Sequence, residues 1–446
     1  MKKRLELILF TLLCVFSARA YDFEVDGIYY NYISDTSVEI TSSGRSTGKY
    51  SESVVVPATV EYDGNSYRVT TIGYRAFYGC TLLNSVKIPE GVTSIGDEAF
   101  KNCFGLTYVT IPESIDIIGD DAFYNCTRIR GPLYNSKIFV HIPDYSGEYV
   151  IPSGIQSIAS GAFCECSGLT SVTIPESVTS IGNGAFRGCE KLTSVTIPER
   201  VASIGASTFS GCIGLTSVTI PESVTSIGAY AFRGCSGLAS VTIPESVTSI
   251  GSYAFSECSG LTLVAWNARH CQDMSNFSDA PFSENTSITT ITFGSEVEYI
   301  PAYLCCNCNG LTSVTIPERV ASIGEYAFWG CTSIRNPLYN SKVFAYLPQH
   351  YSGEYAIPSS IQSISPTAFF RCTGLTSVTI PEGVTRIGEY AFYECTGLTL
   401  VIIPESVTFI GMGAFKGCSG LTSVTIPEGV TSIGAGAFED CIGKCP

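Results

Sequence analysis

A phenylalanine returns every 23 residues through most of this 446-residue chain. The series runs Phe77, Phe100 and Phe123, then Phe163, Phe186, Phe209, Phe232 and Phe255, and resumes at Phe369, Phe392, Phe415 and Phe438. A fixed period of that length constrains the fold more than any local motif. Each copy is one small unit that cannot bury its own apolar face, so consecutive copies must stack into a solenoid. The stretch Gly168–Cys189, GLTSVTIPESVTSIGNGAFRGC, is the text that most of the chain repeats.

Within one copy, Leu169, Val172 and Ile174 follow L-x-x-L-x-L, the strand signature of a leucine-rich repeat. Val172 and Ile174 alternate with Ser171 and Thr173, which makes one strand face apolar and the other polar. Pro175 ends the strand because it cannot donate to a ladder. A second short extended piece points Val178 and Ile181 inward, and Gly182 permits a sharp turn. Ala185 and Phe186 are expected in a short helical or 3-10 turn, and Gly188-Cys189 closes the coil. Stacked one strand spacing apart, about 15 such coils make a curved rod about 70 Å long. The predicted fold class is an α/β solenoid, a leucine-rich repeat horseshoe. It has a parallel sheet on one face and short helical or 3-10 turns on the other.

A length prior alone would suggest about three domains, but a repeat array is one quasi-linear body. A chain with 45% apolar and 15% charged residues is not disordered. The formal net charge is −15; residues 1–20 hold four basic residues and one acidic, so the remainder sits near −18. That balance argues against nucleic acid or an anionic membrane as the partner. Residues 1–20 read as a signal peptide: Lys2-Lys3-Arg4, a mostly apolar run from Leu5 to Phe16, and Ala18-Arg19-Ala20 as the cleavage site. The run is short for a membrane anchor, and the bulky Leu13 disfavours lipid attachment at Cys14. No later segment is apolar enough to cross a membrane. The mature chain is therefore expected to be secreted or held at a cell surface, without inserting into a membrane.

Residues 21–53 differ in composition. Phe23, Val25, Ile28 and Tyr30 suggest one strand and Val38 and Ile40 another, together a small β cap over the first coil. The repeat domain, residues 54–446, starts at Val54-Val55-Val56-Pro57. Asp63-Gly64 interrupts it with a hairpin signal between Val60 and Val69. Two long coils carry inserts, at residues 127–152 and 332–358. Their texts, GPLYNSKIFVHIPDYSGEY (Gly131–Tyr149) and NPLYNSKVFAYLPQHYSGEY (Asn336–Tyr355), are near-copies, so a block was duplicated as well as single repeats. Lys137 to Ile142 is expected to add a strand, with Asp144 to Gly147 as its turn. The insert reads as a spliced coil rather than a projecting ligand loop. Residues 261–310 are irregular. Here a coil of 27 residues carries Asn267, Arg269, His270, Asp273 and Asp279. It reads as a coil with an out-looped segment rather than a catalytic pocket.

The pattern L-x-x-V-x-I-P-x-x-V-x-x-I-G-x-x-A-F-x-x-C is carried by Leu215, Val218, Ile220, Pro221, Val224, Ile227, Gly228, Ala231, Phe232 and Cys235. It resembles the BspA-like leucine-rich repeat family, also called the Treponema type, over residues 54–441. The opening DFEVDGIYYNY (Asp22–Tyr32) also looks like openings found in such proteins. The resemblance implies a bacterial-type cell-surface or secreted protein of host-associated microbes. Some members are adhesins for host matrix proteins or other cells. It brings no catalytic residues with it.

Three further residue columns run through the repeats. Fourteen of the 20 cysteines fall in one register, three places after the phenylalanine position, among them Cys80, Cys103, Cys126, Cys189, Cys235, Cys331 and Cys418. That phase suits a small buried residue. Export would ordinarily favour disulfides, but side chains in one column point the same way, poor geometry for bridging. Cys164, Cys271, Cys305, Cys306 and Cys445 fall off register, without a second pair at zinc-site spacing. Glutamates follow the strand-ending prolines, at Glu90, Glu113, Glu176, Glu199, Glu222, Glu245, Glu318, Glu382, Glu405 and Glu428. They read as solvated turns, since the Asp/Asn-rich loops of calcium repeats are absent. Ser171, Thr173, Ser194, Thr196, Ser217, Thr219, Ser240 and Thr242 should line the open face of the sheet, a small, hydroxyl-rich candidate partner-binding surface.

The three histidines, His141, His270 and His350, sit in no nucleophile motif, and G-x-S-x-G, a phosphate loop and H-E-x-x-H are all absent. No catalytic, cofactor or metal site is expected. The expected function is non-enzymatic protein binding or adhesion to host or neighbouring cells, with a host surface or matrix protein, or a glycan, as partner. A self-associating surface-layer component and a glycan-binding module are the alternatives.

Overall fold

A computed structural model describes residues 20–44 and 50–441. The expected signal peptide, apart from its last residue, and Cys445 lie outside them. The described residues form a β-solenoid of about 16 turns with almost no helix. It comprises two compact units. One holds the described residues up to Tyr145, with Ile151–Cys166 and Ile181–Ala185. The other holds Ser146–Val150, Ser167–Ser180 and the described residues from Phe186 onward.

The first unit opens with antiparallel strands. Phe23–Val25 turns back on Ile28–Ser34, which pairs with Ser37–Thr41. The single strand expected from Phe23 to Tyr30 is therefore two. Asp26 and Gly27 sit at φ 49° and 78°, the left-handed pair that a two-residue hairpin turn requires. Asp63-Gly64 makes its hairpin as expected, at φ 49° and 77°, joining Thr59–Tyr62 to Asn65–Ile72. Parallel pairing begins where Ser37–Thr41 meets Asn65–Ile72 and continues through Ser94–Ile95 to Ile117–Ile118. A second parallel column runs through Glu52–Val55, Leu83–Lys87 and Tyr108–Val109.

The second unit repeats the two-column plan. Ser194 pairs with Ser217, Val195 with Val218 and Thr196 with Thr219, so each residue sits over its counterpart 23 places on. Ser203–Ile204, Ser226–Ile227 and Ser249–Ile250 form the shorter column. The Pro between the two strands of a coil lacks the N–H that would continue the ladder.

The expected helical or 3-10 turn at the phenylalanine is not one. In the coil holding Phe232, the N–H groups of Ala231, Arg233 and Cys235 donate three residues back, to Gly228, Tyr230 and Phe232, at 3.1–3.3 Å. Those of Tyr230, Phe232 and Gly234 donate instead to Ser252, Ala254 and Ser256 of the next coil, at 2.7–2.9 Å. Alternate donors thus leave the coil, whereas a helix keeps them all. Tyr230 and Gly234 also take left-handed φ of 58° and 73°, which interrupts any run of helical residues. Among the described residues the only helical segment is a 3-10 turn at Phe277–Asp279.

Phenylalanine fills the interior of both units. In the first, Phe77, Phe100 and Phe123 stack with centroids 4.9 Å apart. In the second, Phe186, Phe209, Phe232, Phe255 and Phe282 stack at 5.0–5.4 Å. Phe282 restores the column after the irregular coil. Each ring removes about 2–3 kcal/mol of apolar surface from water. Gly228 sets how closely coils approach, because a Cβ there would lie 2.6 Å from the Ala206 nitrogen.

Both inserts are built into the stack. Ile138–His141 pairs antiparallel with Leu133–Tyr134 and parallel with Ser157–Ile158, and the Phe139 ring lies 4.8 Å from that of Phe163. Val343–Tyr346 repeats this with Leu338–Tyr339 and Ser363–Ile364. Ser146–Val150 extends the expected turn into a strand paired with Gly168–Thr173. The shared Tyr-Asn-Ser-Lys text is a clamp. Asn340 Nδ2 donates to Pro317 O and Val320 O at 2.8 and 2.9 Å, and its Oδ1 accepts from Lys342 N and Val343 N at 2.8 and 2.7 Å. Asn135 makes the same four bonds in the first unit. Asn340→Ala should therefore lower stability by about 3 kcal/mol or more in urea denaturation, because it strands several buried backbone groups. A loss within about 0.5 kcal/mol, the usual effect of a surface change, would contradict the clamp.

Candidate functional site

The eight hydroxyl residues singled out above lie on the long strands of the second unit. Seven are exposed and Ser171 is half-buried. Of the apolar residues between them, Val172, Val195 and Val241 are buried and Val218 is half-buried. Strand alternation alone accounts for this division. No hydroxyl of the eight makes a hydrogen bond among the described residues. The threonine just before two of these pairs, and its counterpart Thr312 in a later coil, behave differently. Thr193 Oγ1 donates to Thr170 O at 3.3 Å, Thr216 Oγ1 to Thr193 O at 3.1 Å, and Thr312 Oγ1 to Thr289 O at 3.2 Å. Two kinds of hydroxyl thus stand side by side, one holding coils together and the other facing water. Sequence reasoning missed the first kind, since L-T-S-V-T gives no sign of which hydroxyl reaches the preceding coil.

The face is not uniformly polar. Register places Leu263 beside Ser240, Leu400 beside Ser377 and Ile402 beside Thr379. These three side chains are 39%, 53% and 64% exposed. Large apolar residues open to solvent on a hydroxyl surface are what a partner would cover.

The other columns are structural. Cys235 Sγ donates to Phe209 O at 3.2 Å and Cys258 Sγ to Phe232 O at 3.1 Å, and Cys103, Cys126, Cys212, Cys395 and Cys418 repeat the contact. The repeated cysteine therefore ties its coil to the carbonyl of the preceding phenylalanine as well as filling space. The described cysteines form no disulfide with one another, and only Cys164 and Cys441 are not fully buried. Burial pushes the Cys258 thiol up to about 12 and Cys235 well above its ordinary 9.0. Cys305 takes the phenylalanine position, with Cys331 Sγ donating to its carbonyl at 3.1 Å, and Cys308 the cysteine position. Among the described residues no three His, Cys, Asp or Glu side chains are placed to hold a metal.

Two glutamates of the proline-following column cap the inserts. Glu113 accepts from Ser136 N at 3.2 Å and from Ser136 Oγ at 2.6 Å, which holds its carboxyl below the ordinary value. Glu318 likewise accepts from Ser341 N and Ser341 Oγ.

In the irregular coil, Asp273 accepts from Tyr299 OH at 2.5 Å and from Ala302 N at 2.7 Å. Asp279 accepts from Ser252 Oγ at 3.0 Å and Asn276 Nδ2 at 2.9 Å. Arg269 and Arg319 share Glu296 at 3.0 and 2.6 Å, and His270 lies 3.7 Å from Glu298. These bonds hold the longer coil to its neighbours. His141 is buried in the first insert and pushed down to about 4 by loss of water. His350 is exposed in the second.

Fold and face together define a class: a leucine-rich repeat solenoid whose strands present a surface. The BspA type leucine rich repeat region (6 copies) matches residues 60–146, 135–262, 202–335 and 339–444. The chain belongs to that family. A leucine-rich repeat protein from Bacteroides ovatus is 27% identical, over 92% of this chain and 95% of that one, with a TM-score of 0.44. A leucine rich cell surface protein from Faecalibacterium prausnitzii is 29% identical, over 90% and 93%, at 0.39. The leucine rich repeat protein of T. pallidum is 29% identical, over 49% and 90%, at 0.33. No curated protein sequence matches.

Two outcomes are expected. Ser217→Ala and Thr219→Ala should change stability by less than about 0.5 kcal/mol, whereas Thr216→Ala should cost about 1 kcal/mol; denaturant midpoints distinguish them. The thiols supply a pH dependence. Cys258 keeps its proton in the folded state up to about 12, while an unfolded thiol loses it near 9.0. Its stabilisation is thus complete below pH 9.0 and falls as pH rises, by about 1.4 kcal/mol per pH unit for each such thiol. Chemical denaturation between pH 8 and pH 11 checks the slope, and Cys258→Ala should reduce it.

Proposed function

We propose that this protein is a non-enzymatic binding protein, secreted or held at a cell surface, whose long-strand face takes an extended segment of a partner protein. The observation that carries this is the face itself. The eight hydroxyls named above have no internal partner, and exposed apolar side chains, among them Leu263, Leu400 and Ile402, punctuate it. A partner strand laid across it would find polar contacts every coil and apolar anchors at Leu263, Leu400 and Ile402. A few buried anchors among near-neutral polar contacts is the usual anatomy of a protein–protein interface. A glycan surface would instead offer aromatic rings, which these columns lack in the second unit's eight-residue array. Family membership supports the same reading, as does the cell-surface description of the F. prausnitzii structure. The signal-peptide pattern of residues 1–20 supports export.

Among the described residues no helix is long and apolar enough to cross a membrane.

The test is binding of the purified chain to a panel of extracellular matrix and cell-surface proteins, alongside a glycan array. Leu400→Asp combined with Ile402→Asp should weaken a protein interaction by about tenfold or more without lowering the melting temperature. Binding to glycans alone, or protein binding indifferent to that double substitution, would overturn the proposal.

A further inference from the structure

The duplicated inserts provide a comparison within one chain. At the first, a cleft of about 230 Å³ opens, lined in part by Tyr124, His141, Pro143, Asp144, Cys164 and Glu165. His141 is only 7% exposed, and its Nε2 has no hydrogen-bond partner. Buried ring nitrogens are rarely left unsatisfied. The second insert carries Tyr346 where the first has His141, and Phe370 where the first has Cys164. Both larger side chains are buried. Gln349 Nε2 donates to Phe370 O at 3.3 Å. One framework therefore carries larger buried side chains in one copy, and in the other smaller ones beside an unmet polar atom.

The lining selects a ligand. Asp144 and Glu165 are exposed at the cleft and bring negative charge, and no lysine or arginine lines it among the described residues. Anions are repelled and cations drawn in. The Tyr124 ring and Pro143 give an apolar wall against which an alkyl stem can lie. An ammonium group carries three donors, enough for two carboxylates and an imidazole nitrogen together. We propose that this cleft binds a primary ammonium group on a short alkyl stem, with Asp144 and Glu165 opposing its charge and His141 Nε2 accepting one of its hydrogen bonds. The site is separate from the long-strand face, and neither proposal rests on the other.

The experiment is calorimetric titration of the purified chain with n-butylamine, n-butanol and butyrate at neutral pH. Saturable binding of the amine alone is expected. The double variant His141→Tyr/Cys164→Phe installs the residues that the second insert already accommodates, so it should keep the native circular dichroism and lose amine binding by about tenfold or more, the size of a lost charge-assisted bond. If that variant fails to fold, Asp144→Asn/Glu165→Gln, both at exposed positions, should weaken binding comparably. Tighter binding of Nα-acetyl-lysine methylamide than of n-butylamine assigns the site to a lysine side chain of a protein; the reverse order assigns it to a free amine. Absence of amine binding, an equal response to n-butanol, saturable zinc binding in place of amine, or full binding by the folded variants would each overturn the proposal.

Discussion

Each coil depends on its neighbour for hydrogen bonds it cannot make itself. Alternate N–H groups around Phe232 point out of their own coil, and the carbonyls that receive them belong to Ser252, Ala254 and Ser256. The strands have the same need, as ladder partners in the regular coils are 23 residues away. A lone coil would leave these groups to water and expose its phenylalanine. Stability is therefore shared between neighbours, and a fault is felt by the coils on either side. The strict period follows directly. An extra residue would shift every donor away from its acceptor, so the longer coils close their excess within hairpins or out-looped segments before returning to register.

That dependence gives the cysteine column its meaning. A residue three places after the phenylalanine must be small, apolar and able to satisfy a carbonyl of the preceding coil. A thiol meets all three conditions, whereas alanine lacks the donor and leucine lacks both donor and fit. The left-handed residues of the turn show the opposite balance. Tyr230, Tyr253, Tyr303 and Tyr326 accept φ of 55–59°, at about 1–2 kcal/mol each, because the inter-coil bonds fix the backbone there.

A scaffold built this way leaves its long strands free to present side chains. The structural residues point inward or toward the adjacent coil, and the remaining hydroxyls and a few apolar residues face outward. Substitutions at outward positions cost little stability, so the surface can change while the stack persists. The Leu263, Leu400 and Ile402 positions occupy slots that hold serine or threonine in other coils, and the backbone beneath them is unaltered.

Much of the architecture could be read directly from residue order. The Phe period, the alternation around Val172 and the Asp63-Gly64 hairpin are local patterns, and local patterns survive folding because strand alternation and turn preference act over a few residues. The turn at Phe186 and its relatives was misread as helical because Ala, Phe and Arg in short order suit a helix equally well; what decides it is the coil above, which takes every second N–H. The split at Asp26-Gly27 was masked by the apolar run on either side. Which hydroxyl of L-T-S-V-T reaches back, which carbonyl the cysteine meets, and the cleft beside His141 were all invisible, for one physical reason. Each joins residues of different coils, and only stacking brings them together.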